Sequence, residues 1–432
     1  MPLLNDFLQN IFFDKNYIIS LQQLRQSCYQ ILHQYLRPYY MSTTFLLPLL
    51  GFATALIISA YSIPVIIKVA FIRKIYDKPG GRKTHKGYVP NLGGIAIFAG
   101  FTLSFVCWTN FSDSVYLQYL ILGLIILHFI GVKDDIVPLT PYKKLIGQLL
   151  AAAILVVPGK FRINDLHGIL GLYQISAPCS IGLSIFAVVL LINSFNLIDG
   201  IDGLAGGISL LISLIFSYIF WIVGMNNALI ASLALTGALV SFLFYNKQPA
   251  RIFMGDAGSM CIGYLMAAFS FLFMKANSEV QNNLFHHNPA VLIAFFIVPL
   301  FDTFRVFTIR ILHKKSPFEA DSNHIHHKLQ LLGLSHGKIA LTLTAVNASF
   351  IGFAYLLSNV SPTWLIISCF MMCCLLTTIL YYTIGQQKGS AQNPRPLPEF
   401  KIIHAIELST LPPRKRKPIE VSKTELSEIS SN

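Results

Sequence analysis

The chain has 432 residues, of which 54% are hydrophobic and only 12% charged, with a net charge of +13. A soluble domain carries roughly 25% charged residues, so a water-soluble globular protein is excluded. Seven cysteines show neither metal-ligand spacing nor the even pattern of a disulfide framework, which removes the small stapled folds.

In chain order, residues 1–40 form an N-terminal extension that lacks the basic n-region and small-residue cleavage site of a signal peptide. Met41 opens directly onto the first apolar run and reads as an alternative start. Eleven apolar runs follow, at about 44–70, 91–109, 116–132, 145–158, 180–197, 204–223, 227–245, 257–275, 289–311, 338–358 and 362–385. Runs of about 17–25 apolar residues are bilayer-spanning helices. The expectation is therefore an all-α, polytopic integral membrane protein with a single domain over residues 41–385. Residues 386–432, with "LPPRKRKPIE", read as a disordered basic tail.

The positive charge is distributed unevenly. The odd-numbered loops hold Arg73, Lys74, Lys78, Arg82, Lys83 and Lys86, then Lys133, Lys143 and Lys144, then Lys247 and Arg251, then Arg310, Lys314, Lys315 and Lys328. The even-numbered loops hold only Lys160, Arg162 and Lys275. Cytoplasmic loops are the basic ones, so the N-terminus is expected outside and the C-terminus inside. The charge is explained by topology and not by nucleic-acid binding.

Acidic residues contribute little to topology, yet nine of the twelve between residues 71 and 338 fall on the expected cytoplasmic side. They concentrate in "GVKDDIVPLTPYKK" (131–144), "NSFNLIDGIDGLAGG" (193–207), "RIFMGDAGSM" (251–260) and "RILHKKSPFEADSNHIHHKL" (310–329). Each has a plain structural reading: a solvated helix end, Asp-Gly turns or an N-cap at Asp256. Two adjacent carboxylates, Asp134 and Asp135, repel unless a cation or proton sits between them. Asn193, Asn196, Asp199 and Asp202 are spaced three apart, so tightening toward a 3₁₀ turn would align them on one face. "HIHH" lacks the partner ligands of a zinc site. Carboxylates and amide oxygens are the hard ligands of Mg²⁺, and nearby Lys, Arg and His neutralise phosphates. Phosphoryl transfer needs chiefly that positioning and neutralisation.

"DKPGGRKTHKGYVPNLGG", "DDIVPLTPYKK", "NSFNLIDGIDGLAGG", "FMGDAGS", "PLFDTFRVFTIR" and "SPFEADSNHIHHKL" occur in one order over residues 44–385. In this the chain resembles the polyprenyl-phosphate N-acetylhexosamine-1-phosphate transferase family, whose superfamily includes the phospho-N-acetylmuramoyl-pentapeptide transferases. The resemblance implies ten or eleven transmembrane helices in a bacterial inner membrane and a cytoplasmic active site. It implies transfer of a sugar 1-phosphate from a UDP-sugar to undecaprenyl phosphate, with release of UMP and a requirement for Mg²⁺ or Mn²⁺. By the same resemblance Asn196, Asp199 and Asp256 are metal-site positions. Asp134 and Asp135 act on the lipid phosphate as base or nucleophile, and Asp202 belongs to the nucleotide side. Arg310, His324, His326 and His327 hold the sugar nucleotide, with Asn193, Lys144, Lys83 and His85 as further substrate-binding positions. A homodimer is also compatible with the superfamily.

Ile325 interrupts the histidine run, which is similar to the branch that uses UDP-N-acetylglucosamine. A muramoyl-pentapeptide or other UDP-N-acetylhexosamine donor is the alternative. An ion-coupled transporter would place its acids near the bilayer midplane within repeated halves. The acids here lie at one face, no repeat is visible, and Asp302 has Arg305 as an i,i+3 partner.

Overall fold

The computed structural model describes residues 45–76, 88–113, 116–279, 288–315 and 323–392. The chain divides into a unit ending at Ile384 and a second unit of residues 385–432. In the first unit a helix stands at each of the eleven expected positions: α1 Leu46–Arg73, α2 Gly93–Trp108, α3 Leu117–Ile136, α4 Pro141–Val156, α5 Ala177–Ile198, α6 Leu204–Val223, α7 Asn226–Asn246, α8 Gly255–Glu279, the pair α9 Asn288–Phe295 and α10 Ile297–Leu312, α12 His336–Leu356, and α13, which begins at Pro362. The short helix α11, Ile325–Leu331, lies between the tenth and twelfth. Among the described residues, seven helices are individually long and apolar enough to cross a bilayer, and the bent pair α9–α10 makes an eighth. The protein is a multi-pass membrane protein.

Two features depart from eleven simple spans. The ninth span breaks at Phe296, with an angle of 83° between α9 and α10. Pro299, in the first turn of α10, has no N–H to donate and its ring crowds the carbonyl four residues back. The groups exposed by the break are satisfied from α12: the buried Asn347 donates to the Phe295 carbonyl at 2.9 Å and accepts from the Val298 N–H at 3.3 Å. In hydrocarbon such groups have no water to turn to. Secondly, Asp165–Ile169 and Leu172–Gln174 form an antiparallel hairpin, β1–β2, at the opposite end of the bundle from α11. Leu170 and Gly171 both have positive φ, 52° and 77°, as a two-residue type I′ turn requires.

Helix α8 is the axis of the unit: its residues 257–273 are all buried, whereas only 22% of the most apolar stretch of α1 and 17% of that of α13 is buried. It packs on α2, α3, α5 and α6. Its first turns approach three neighbours backbone to backbone. A Cβ at Gly94 of α2 would stand 2.1 Å from the Gly258 nitrogen, and one at Gly131 of α3 would stand 2.3 Å from the Ala257 Cα. On the far side a Cβ at Gly263 would stand 2.6 Å from Ile192 of α5. Small residues allow such contact where apolar burial alone gives no preference for helix over lipid. Buried hydroxyls join α6 to α7 in the same spirit, Ser213 reaching the Ser232 carbonyl at 2.8 Å.

Candidate active site

The polar stretches meet where α3, α5 and α7 end and α4, α6, α8 and α12 begin. The first residues of α2 dock on the residues before α8: Gly93 and Gly94 donate N–H groups to the carbonyls of Phe253 and Met254 at 2.9 and 2.8 Å. This fixes the start of α8, whose first turn carries Asp256.

Asp135 caps that helix from a distance. Its carboxylate oxygens accept the N–H groups of Asp256 and Ala257 at 2.8 and 3.0 Å, and Asn91 adds a third hydrogen bond at 3.3 Å. Helix N-termini leave these donors unpaired, and a carboxylate is favoured there by the dipole as well. Asp134, the neighbouring residue, has different partners. It accepts the Leu139 N–H at 2.6 Å and pairs with the Lys144 ammonium at 2.6 Å. Lys144 also bonds the Asp256 carboxylate. The other oxygen of Asp256 accepts from the Asn196 amide at 2.9 Å, and the same amide nitrogen donates to Ser259.

Asp199 ends α5 and lies outside the helical region, at φ −78° and ψ 40°. Burial, followed by the charges of Asp256, Asp135 and Asp202, pushes its carboxyl well above the ordinary carboxylate range, against a hydrogen bond from the Gly255 N–H. Two carboxylates, Asp134 and Asp256, thus share one ammonium. Asp135 and Asp199 lie close to Asp256 with no cation of their own among the described contacts, a balance that favours a further cation. Among the described residues no three His, Cys, Asp or Glu side chains form a ready-made cage. Mg²⁺ does not need one: it takes one or two carboxylates and completes its octahedron with waters and substrate phosphates. Asp199, Asp256 and the Asn196 amide fit that donor set.

A second cluster adjoins the first across the turn at 199–203. His324, His326 and His327 bring their rings together: His324 and His326 are nearly parallel at 5.4 Å, and His326 and His327 stand 4.3 Å apart. Asp302 of α10, buried, orients them. It bonds His324 Nδ1 at 2.8 Å and accepts the Ile325 N–H at 2.9 Å, while Arg305 pairs with it at 2.9 Å and also reaches the Asn323 carbonyl. Asp302 is therefore more than the i,i+3 partner of Arg305. His326 packs on Gly200, where a Cβ would stand 2.7 Å from its Nε2. Burial and then the neighbouring His327 push its pKa down to about 3, so this ring is neutral at ordinary pH.

Asp202 lies 3.2 Å from His336 Nδ1 at the start of α12. His336 continues through Gln330 to His327, with contacts of 3.1 Å each. The 199–203 turn is itself held by Asn246, which accepts the Gly203 N–H at 2.7 Å and donates to the Ile252 carbonyl. Arg310 is buried on the last turns of α10, its guanidinium 5.8 Å from the Phe307 ring.

The four polar groups of 193–202 do not share a face. Asn193 faces α4, exchanging hydrogen bonds of 2.8 and 3.3 Å with Gln148 and donating to its own helix at Val189. Asn196 and Asp199 face α8, and Asp202 faces α12. The helix stays α to Ile198 and then leaves through turns without a 3₁₀ stretch, because three different helices supply partners. Lys83 and His85 lie outside the described residues.

Residues 117–274 match the description of glycosyl transferase family 4. The chain is 28% identical over 315 residues to the undecaprenyl-phosphate alpha-N-acetylglucosaminyl 1-phosphate transferase of Salmonella typhi, covering 71% of this chain and 83% of the relative. It is 29% identical to the protein of that name from Escherichia coli strain K12, with the same coverage. A Bacillus subtilis relative, named "Probable undecaprenyl-phosphate N-acetylglucosaminyl 1-phosphate transferase", is 30% identical over 306 residues, 70% of this chain and 82% of the relative.

Proposed function

The chain belongs to glycosyl transferase family 4 as a glycosyl-1-phosphate transferase, and from that premise we propose that it transfers N-acetylglucosamine 1-phosphate from UDP-N-acetylglucosamine to undecaprenyl phosphate, releasing UMP. The relatives carry that acceptor and sugar in their names. The observation that carries the proposal is the junction at Asp256, where Asn196 and the Lys144–Asp134 pair meet one carboxylate. The imidazole cluster stands across a single turn from it. One side suits a cation and the other suits phosphates, as a diphosphate donor requires.

Asp199, Asp256 and the Asn196 amide would hold Mg²⁺, which when bound neutralises diphosphate oxygens and the departing UMP. The side chains divide the remaining work. Both oxygens of Asp135 are occupied by the N-terminal amides of α8, which makes it a positioning residue for Asp256 and a poor covalent nucleophile. Asp134 shares the Lys144 ammonium with Asp256. It is placed to take the last proton of the lipid phosphate, which then attacks the diphosphate directly. His324, fixed by Asp302, and its neighbours take the donor's phosphates and sugar. The basic loops support a cytoplasmic position for this end, in a bacterial inner membrane.

The test is a donor panel on purified protein with undecaprenyl phosphate and Mg²⁺, reading UMP release. Turnover with UDP-N-acetylglucosamine at least tenfold above UDP-N-acetylgalactosamine and UDP-muramoyl-pentapeptide is expected. Preference for either of the others would reassign the donor while keeping the chemistry.

A further inference from the structure

Among the described residues, the end of the bundle away from Asp256 is poor in positive charge, and what it has is gathered in one place. Lys160, Arg162 and Lys275, which the sequence scatters over more than a hundred positions, line a single cavity of about 360 Å³. Lys275 is twenty residues along α8 from Gly255, so roughly 30 Å of helix separates this cavity from the carboxylates.

Two of the three cations are placed by a definite contact. Arg162 donates to the carbonyls of Val156 and Val157 at 2.9 and 3.1 Å, fastening the loop to the end of α4. Lys160 adopts a left-handed backbone, φ 58°. The Lys275 ammonium lies 5.3 Å from the centre of the Tyr116 ring. The lining carboxylate, Asp165, accepts the N–H of His167. Three cations thus face one carboxylate. Lysines at a membrane edge ordinarily extend separately toward water; these converge on a cavity.

A second cavity, of about 220 Å³, shares the walls Phe271 and Met274 with the first and is otherwise almost wholly apolar. It runs under the β1–β2 hairpin between α5, α8 and α9. The hairpin exposes Leu170, Leu172 and Tyr173, the surface of a segment lying in a bilayer interface. A cationic chamber sharing walls with an apolar one is complementary to an anionic head on an apolar chain.

We propose that this end holds an anion site, separate from the transfer site, for a phosphate group, and that the phosphate is the head of an amphiphile whose chain occupies the apolar cavity. Basic pockets between transmembrane helices take lipid head groups by the same electrostatics, and phosphate oxygens form charge-assisted hydrogen bonds with Lys and Arg.

The experiment titrates the full chain in dodecyl maltoside with decyl phosphate, inorganic phosphate or decyl phosphocholine, by calorimetry. An Asp256→Asn background removes the contribution of the transfer site. Decyl phosphate is expected to bind, and Lys160→Gln/Lys275→Gln to weaken it at least tenfold, while decyl phosphocholine does not compete. Inorganic phosphate at least tenfold weaker than decyl phosphate supports the amphiphile; equal affinity supports the phosphate site and overturns the role of the apolar cavity. Lys160→Arg/Lys275→Arg keeps the charge and should keep the binding. Absence of decyl phosphate binding, equal binding by the Gln variant, or equal loss in the Arg variant overturns the proposal. The Lys variants without Asp256→Asn should release UMP at the normal rate, so failure here is distinct from failure of the transferase assignment.

Discussion

The carboxylate cluster around Asp256 and the imidazole cluster around His326 flank the same turn, yet they are held by different means. The carboxylates sit at the ends of long helices locked backbone to backbone through Gly94 and Gly131, and Asp135 ties α3 to the first amides of α8. The imidazoles ride on a seven-residue helix fastened mainly by side chains, with Asp302 and Arg305 on one side and the Asp202–His336–Gln330 chain on the other. The first cluster is part of the membrane scaffold and, on the proposed function, is where a cation and its phosphate would be received. The second is tethered, so a single side-chain change can release it without disturbing the spans.

That contrast can be broken most severely at its centre. Asp256→Asn removes the charge shared by Lys144 and Asn196 while keeping the shape. UMP release should fall by about 10³-fold, the scale of several kcal/mol of lost charge stabilisation, with the thermal transition little changed.

Asp302→Asn should separate the clusters. It leaves the half-buried Arg305 without its counter-charge and lets His324 turn. Thermal stability should drop, and UMP release by roughly 10–100-fold, the usual effect of losing an orienting carboxylate. Mg²⁺ dependence of the residual activity should be unchanged, because the carboxylates are held elsewhere.

Gly131→Ala tests the scaffold side. Its Cβ meets backbone atoms of α8, which cannot rotate away, so α3 and α8 must part at a cost of about 1–3 kcal/mol. Shifting Asp135 relative to Asp256 should lower UMP release without changing the KM for the UDP-sugar. Kinetics on the purified variant would check both.

A smaller effect is expected at His326. Its pKa near 3 in the fold lies below the roughly 6.5 of an unfolded histidine, so the unfolded chain binds the extra proton first. Stability should be unaffected above pH 6.5 and should decline as the pH falls from there toward 3. His326→Gln should flatten that part of the stability profile in a thermal-shift series. Equal acid sensitivity of the two proteins would contradict the buried neutral ring.

The sequence made the spans legible because bilayer thickness sets helix length, and the acids legible because carboxylates are rare in so apolar a chain. What lay beyond it was tertiary. The break at Phe296 depends on Asn347, about fifty positions away, and nothing local announces it beyond Pro299. The three-residue spacing from Asn193 to Asp202 suggested one polar face, but each group turns to whichever helix offers a partner. Asn193 is engaged with Gln148 inside the bundle. Asp302 read as a structural charge paired with Arg305 alone, because its other partner, His324, lies across a loop. Adjacent Asp134 and Asp135 looked equivalent; only the position of α8 distinguishes the proposed base from the cap.

The most direct test of the account is UMP release by wild type and Asp256→Asn, with UDP-N-acetylglucosamine and undecaprenyl phosphate, across a Mg²⁺ titration. Turnover that requires Mg²⁺ in the wild type and is lost in the folded variant at every Mg²⁺ concentration is the predicted result. Undiminished turnover in the variant, or turnover in the wild type after thorough chelation, would contradict the assignment of Asp256 to the centre of a metal–diphosphate site.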